Sequence, residues 1–242
     1  MSPGDTAERK PPRISAHGAQ FATIAVTEGC LNCSFVVHEE LLEYHSPFFR
    51  AALDGSFEEA KAKKVRVEAS AETVEFFVHW LYNQRLPSKQ DHPDLFKLWE
   101  YLDQNSYSMA QLNLLRLHVF CDKYDVPVLK RLTLDTYIEL VASNSNAPCA
   151  AHICIASANM PEDSPICRFV LDVCCKKNTP ARWEWLFTPL WEPPVIFYKL
   201  ALKRYSQLLG QAQSTHSPLD ICNYHDHKDE EERNACKAKR AA

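Results

Sequence analysis

Apolar residues alternate with a period of two only in the first seventy residues of this chain. From Ala71 onward they recur at spacings of three and four. A doubly wound parallel sheet would alternate strands and helices to its end, so this separation predicts an α+β fold instead. Ala22, Ile24 and Val26 interleave with Phe21, Thr23 and Ala25, which suits a strand over 21–27. The turn TEGCLNC, with Gly29 and Asn32, leads into a second strand over 33–37, completing a hairpin. Lys64–Glu68 puts Val65 and Val67 on one face and charges on the other, a third strand with one side in water. Between the hairpin and that strand, His38–Tyr44 and Ser46–Leu53 read as short helices, the second ended by Gly55. Ser46 can cap this second helix, and proline is tolerated where Pro47 stands.

Helical stripes carry the rest. Val74, Phe77, Val78 and Leu81 stand at i, i+3, i+4 and i+7 on an amphipathic helix beginning at Ala71. Residues 83–108 lose this regularity and read as a long connection with one short helix near Leu95–Leu102. Further stripes are Leu114, Leu117, Cys121 and Tyr124, then Leu134, Tyr137, Ile138 and Val141 behind Pro127. After the break SNSNAP come Ile166, Phe169, Val170 and Val173, and behind Pro193-Pro194 come Val195, Tyr198, Leu202, Tyr205 and Leu209. The expected organisation is a disordered tail at 1–19, an α+β domain over 20–142, a helical region over 145–210 and a polar tail over 211–242. Leu41, Leu42, Phe49, Val74, Phe77, Val78, Leu81 and Leu117 are the expected core. Trp183, Trp185, Phe187 and Trp191 are expected to pack the C-terminal helices.

Composition removes several function classes. The chain holds only five glycines, at 4, 18, 29, 55 and 210. Loops that cradle phosphate need clustered glycines, so nucleotide-dependent enzymes of the common kinds are disfavoured. A net charge of -4 speaks against nucleic acid and membrane surfaces as partners. No apolar run approaches the ~18 residues of a membrane span, and the N-terminus has no apolar signal core. The ten cysteines then read as reduced thiols of a soluble cytoplasmic or nuclear protein. Nothing in the spacing of His, Ser and acids sets a base beside a nucleophile, so no enzymatic activity is expected.

Three stretches, in order, resemble the BTB/POZ domain. FVVHEELLEYHSPFFRAAL is similar to the family's strand, histidine, leucine-bearing helix and Ser-Pro-x-Phe, here His38, Leu41, Leu42, Ser46, Pro47, Phe48, Phe49 and Arg50. VRVEASAETVEFFVHWLYNQRL resembles the third strand and the helix ending in Leu81-Tyr82, and FCDKYDVPVLKRLTLD the closing helical hairpin. The resemblance implies a three-stranded sheet packed by helices and a non-enzymatic protein-interaction module over 20–142, followed by the helical region. It implies protein partners: a cullin, with the chain a ubiquitin-ligase substrate adaptor, or another copy of the chain in a scaffold or transcription-linked protein. The stretch His-Gly-Ala-Gln-Phe at 17–21 lacks the acid that many animal members use in a co-repressor pocket, and no N-terminal dimerisation strand is visible. Homodimerisation stays open. The text ANMPEDSPICRFVLDV and the Cys/His-bearing tail resemble the filamentous-fungal BTB group more particularly. Members that bind cullins share a hydrophobic-x-Glu motif ahead of the third strand. Phe57, Glu58 and Glu59 stand at that place. The alternative is that Phe57 folds back on the core while the glutamates are solvated.

Two cysteine patterns remain. Cys30-x-x-Cys33 has no second pair at metal spacing and reads as two turn cysteines. In the tail, Cys222, His225, His227 and Cys236 supply the two thiolates and two imidazoles of a closed tetrahedral zinc site. The fold needs no cofactor; a structural zinc here is the one candidate. The acidic DHKDEEER between the ligands opposes phosphate binding, and the competing reading is an exposed tail with coincidental histidines.

Overall fold

A computed structural model describes residues 11–12, 14–15, 17–28, 33–54, 58–100, 109–143, 148–177, 192–211, 221–225, 227 and 229–241. The chain divides into two compact units, residues 1–109 with 120–130, and residues 110–119 with 131–242.

In the first unit, β1 (Phe21–Val26) lies between β2 (Ser34–His38) and β3 (Lys64–Val67). β1 and β2 are antiparallel, with Phe21 opposite His38, whereas β1 and β3 are parallel, with Thr23 opposite Lys64. The three-stranded sheet is the one that the alternation predicts, with strand ends moved by a residue. Ala22, Ile24, Val26, Val37, Val65 and Val67 are buried on its inner face. Phe21 and Val36 are exposed, at 51% and 65%.

Helices α1 (Glu39–His45), α2 (Pro47–Leu53), α3 (Glu58–Ala62), α4 (Ala71–Asn83) and α5 (Pro93–Glu100) complete this unit with the end of α6 (Met109–Lys123) and the start of α7 (Pro127–Ser143). Ser46 does what its position predicts and more. Its Oγ accepts from Phe49 N at 3.0 Å, capping α2, and donates to the Tyr124 carbonyl at 2.7 Å. Tyr124 Oη in turn accepts from Glu68 N at 2.6 Å, so one tyrosine joins the α2 cap to the end of β3. The rings of Phe49 and Phe77 stack at 5.8 Å, and Phe120 lies 5.0 Å from Phe77. In this glycine-poor chain α4 ends on Gln84, held in the left-handed region at φ 53, whose side-chain amide donates to the carbonyls of Trp80 and Leu81.

Val78, expected in the core, is half-buried, while Phe76, His79 and Trp80 are buried. The reason is that α4 packs against α1 and β2 on one side, and Phe76 meets Trp99 of α5 at 4.8 Å on another. A single stripe undercounts such an arc. The other expected core residues, Leu117 included, are buried. Gly55 lies outside the described residues, and so do Trp183, Trp185, Phe187 and Trp191. Cys33 is disulfide-bonded with a partner outside the described residues, against the expectation of reduced thiols; eight described cysteines are free.

The second unit is helical. Around parts of α6 and α7 it holds α8 (Ala150–Asn159), α9 (Pro165–Lys177), α10 (Val195–Gln211), a 3-10 turn (Ile221–Tyr224) and α11 (Glu230–Ala241). The stripes on α7 and α9 are buried as predicted. The one on α10 is not: Val195 and Leu202 are exposed at 70% and 72%, and Phe197 and Ala201 are buried. The buried face also carries Arg204, whose Nε donates to Asp172 of α9 at 2.5 Å. A small residue and a neutralised charge hide that face from a hydropathy count. The described part of the polar tail forms the 3-10 turn and α11, with Cys222, Tyr224 and His225 buried.

Candidate functional site

The tail is placed by few residues. Tyr224 donates to Asp172 Oδ2 at 2.7 Å and meets the ring of Phe169 edge-on at 5.1 Å. Asp229 caps α11 by accepting from Glu232 N at 2.8 Å. Arg131 of α7 pairs with Glu232 at 2.8 Å, and Arg233 donates to Asn223 of the 3-10 turn at 2.9 Å. These contacts bring the turn and α11 alongside α7.

There three of the four residues singled out in the tail, Cys222, His227 and Cys236, come together, and His225 reaches them at Cys236. One ligand atom each from Cys222, His227 and Cys236 lie within 4.8 Å of one another. His225 Nδ1 is 3.2 Å from Cys236 Sγ, and its Nε2 lies against Oδ1 of Asp135 on α7. His227 Nε2 is buried with no hydrogen-bond partner among the described residues. Asp135, Glu139, His227 and Cys236 line an open pocket at this place.

The electrostatics follow from this packing. The bond to Asp135 raises the His225 pKa, against burial, which lowers it. Burial raises the Cys236 thiol, but hydrogen bonds from His227, His225 and Cys222 outweigh it and bring the pKa down to about 7. Two sulfurs and an imidazole nitrogen within 4.8 Å of one another are the kinds of donor that a borderline-soft divalent cation takes.

Asp135 gave no signal in the sequence. It stands within TLDTYIEL, where it reads as one more polar residue on the wet side of a helix. Its partner lies ninety positions on, which no local pattern encodes.

The second candidate surface belongs to the first unit. Glu58 and Glu59 are exposed at the start of α3, whose Ala60 is buried. Phe57 lies outside the described residues.

Residues 20–118 match the family model of the BTB/POZ domain. This chain therefore carries a BTB domain, a protein-interaction module, with a helical region after it. No curated protein matches the chain. Among the described residues, no helix is long and apolar enough to cross a membrane.

Proposed function

We propose that this chain is a non-enzymatic interaction protein of the cytoplasm or nucleus whose BTB domain docks on a cullin, making it a substrate adaptor of a ubiquitin ligase. The helical region would extend or specify the contact. The observation that carries this reading is the pair Glu58 and Glu59, exposed on α3 between α2 and β3, where cullin-binding BTB domains resemble one another in a hydrophobic-x-Glu motif. Phe57 would be the apolar anchor, and anchors of this kind dominate interfaces. Glu59 would orient the contact at the rim through a charge-assisted hydrogen bond. The likeness of ANMPEDSPICRFVLDV to the filamentous-fungal BTB group belongs to the same proposal.

Calorimetric titration of the full chain with a cullin N-terminal segment tests it. Phe57→Ala should weaken binding by at least about 2 kcal/mol and leave the melting temperature nearly unchanged. A lower melting temperature with unchanged affinity would mean that Phe57 is a core cap and would overturn the docking role.

One observation favours a second reading, a self-associating BTB scaffold or transcription-linked protein without cullin binding. Phe21 and Val36 lie exposed on neighbouring strands of the sheet, an uncovered apolar pair suited to a second copy. Under that reading Phe21→Ser/Val36→Ser would leave a monomer.

A further inference from the structure

The four-residue cluster of the tail has a composition that hydrogen bonding alone explains poorly. Thiols are weak donors and weak acceptors, so a thiol–imidazole net compensates little for the burial of Cys222, His225 and the inner edge of His227. Helix α11 sharpens the problem. Among its described side chains none is fully buried, and Glu232, Arg233 and Cys236 alone are even half-covered. A helix of 12 residues whose least polar side chains are alanines and one cysteine has little apolar surface to hold it in place. Something other than hydrophobic burial fixes it beside α7.

We propose that Cys222, His225, His227 and Cys236 bind one structural zinc ion, with Asp135 orienting His225 from behind. The donor set is S2N2, four ligands for a closed tetrahedral site with no open position for a substrate. In such a site neighbouring ligand atoms stand about 3.3–3.8 Å apart, as bond lengths of about 2.3 Å to sulfur and 2.0–2.1 Å to nitrogen require. Cys222, His227 and Cys236 each bring a ligand atom within 4.8 Å of the other two, and His225 Nδ1 stands 3.2 Å from Cys236 Sγ, so a short movement of His225 toward Cys222 and His227 completes the set. His225 presents Nδ1 to the site and sets Nε2 against the Asp135 carboxylate. That is the carboxylate–histidine–metal relation by which proteins fix ring orientation and tautomer. His227 Nε2, buried and without a described partner, leaves that ring a nitrogen for a metal to satisfy.

The 3-10 turn through Cys222, His225 and His227 after it, and α11 through Cys236 are then joined at one point. Asp135 connects the point to α7. The metal is a clip that makes the tail part of the helical unit. Because the site is filled by protein ligands, it does no chemistry on a substrate. This reading is independent of what the BTB domain binds.

The test is elemental analysis of the full chain, purified with zinc and freed of loose metal, together with the variant Cys222→Ser/Cys236→Ser. One zinc per chain in the wild type and none in the double variant is the expected result. No zinc in the wild type, or equal zinc in both, overturns the proposal. Asp135→Asn, which keeps all four ligands and the fold, should still take up one zinc with an affinity lowered about 10–100-fold against a competing chelator. An unchanged affinity would remove Asp135 from the site. Hydrogen exchange of the wild type supplies a readout free of mutation. Stripping the metal with a chelator should speed exchange in residues 230–241 and leave residues 71–83 as they were. Unaltered exchange at 230–241 would contradict the clip.

Discussion

Ser46→Ala in the BTB domain is the sharpest test of how that domain is held. Ser46 is fully buried and makes two bonds with one oxygen, accepting from Phe49 N at 3.0 Å and donating to the Tyr124 carbonyl at 2.7 Å. Losing a serine cap costs about 1 kcal/mol. Leaving a buried carbonyl without its donor adds about 1–3 kcal/mol, so the expected loss is about 2–4 kcal/mol in all. Ser70 provides the internal comparison, since it caps α4 by accepting from Thr73 N at 3.3 Å and is only half-buried. Ser70→Ala should therefore cost about 1 kcal/mol, the capping part alone. Because the chain has two units, a single unfolding midpoint would mix them. Native-state hydrogen exchange read on residues 71–83 reports the BTB domain by itself. If the two variants lose the same stability, the bond from Ser46 to Tyr124 contributes nothing and the joint between α2 and the end of β3 is misassigned.

Two more perturbations follow from the cores of the two units. Phe77, fully buried between the rings of Phe49 and Phe120, should cost about 3–5 kcal/mol when truncated in Phe77→Ala, read by the same exchange experiment. In the helical unit, burial first and then the charge of Arg116 push the pKa of His152 from 6.5 to about 4. Above 6.5 both folded and unfolded chains hold it neutral. Between 6.5 and about 4 only the unfolded chain takes up the proton, and stability falls. Native-state hydrogen exchange read on residues 165–177 at pH 7 and pH 5 should give stabilities that differ by about 2 kcal/mol more for the wild type than for His152→Gln; an equal difference would contradict the burial of that ring as a neutral group.

Much of this was legible in the sequence where a local rule has one outcome. Ser46-Pro47 starts a helix because a hydroxyl and a missing N–H both suit that position, and the stripes Leu134–Val141 and Ile166–Val173 are buried at the spacings of three and four that they show in the sequence. Where two arcs compete, the apolar pattern does not mark the buried one. On α10 the apolar arc of Val195 and Leu202 faces water, and the buried arc is built from Phe197, Ala201 and an arginine neutralised by Asp172. The tail shows the same limit differently. Its four metal-type residues were visible by their chemistry, but only Cys236 lies on α11, and Asp135 enters the cluster only through the tertiary fold. Tyr124 was visible within FCDKYD as a family signature. The two bonds that give it a role, to Ser46 and to Glu68, lie 78 and 56 residues away in the chain.

Sedimentation velocity on the full chain mixed with a cullin N-terminal segment tests the central claim, because it separates the complex with a cullin from the complex of the chain with itself. With both proteins at about ten micromolar, where a contact anchored as proposed is well populated, the account predicts a new boundary at the mass of a complex containing both chains. Phe57→Ala should abolish it. A mixture that sediments only as the separate proteins, or as homo-oligomers of this chain, would contradict the adaptor role and leave the BTB domain as a self-associating scaffold.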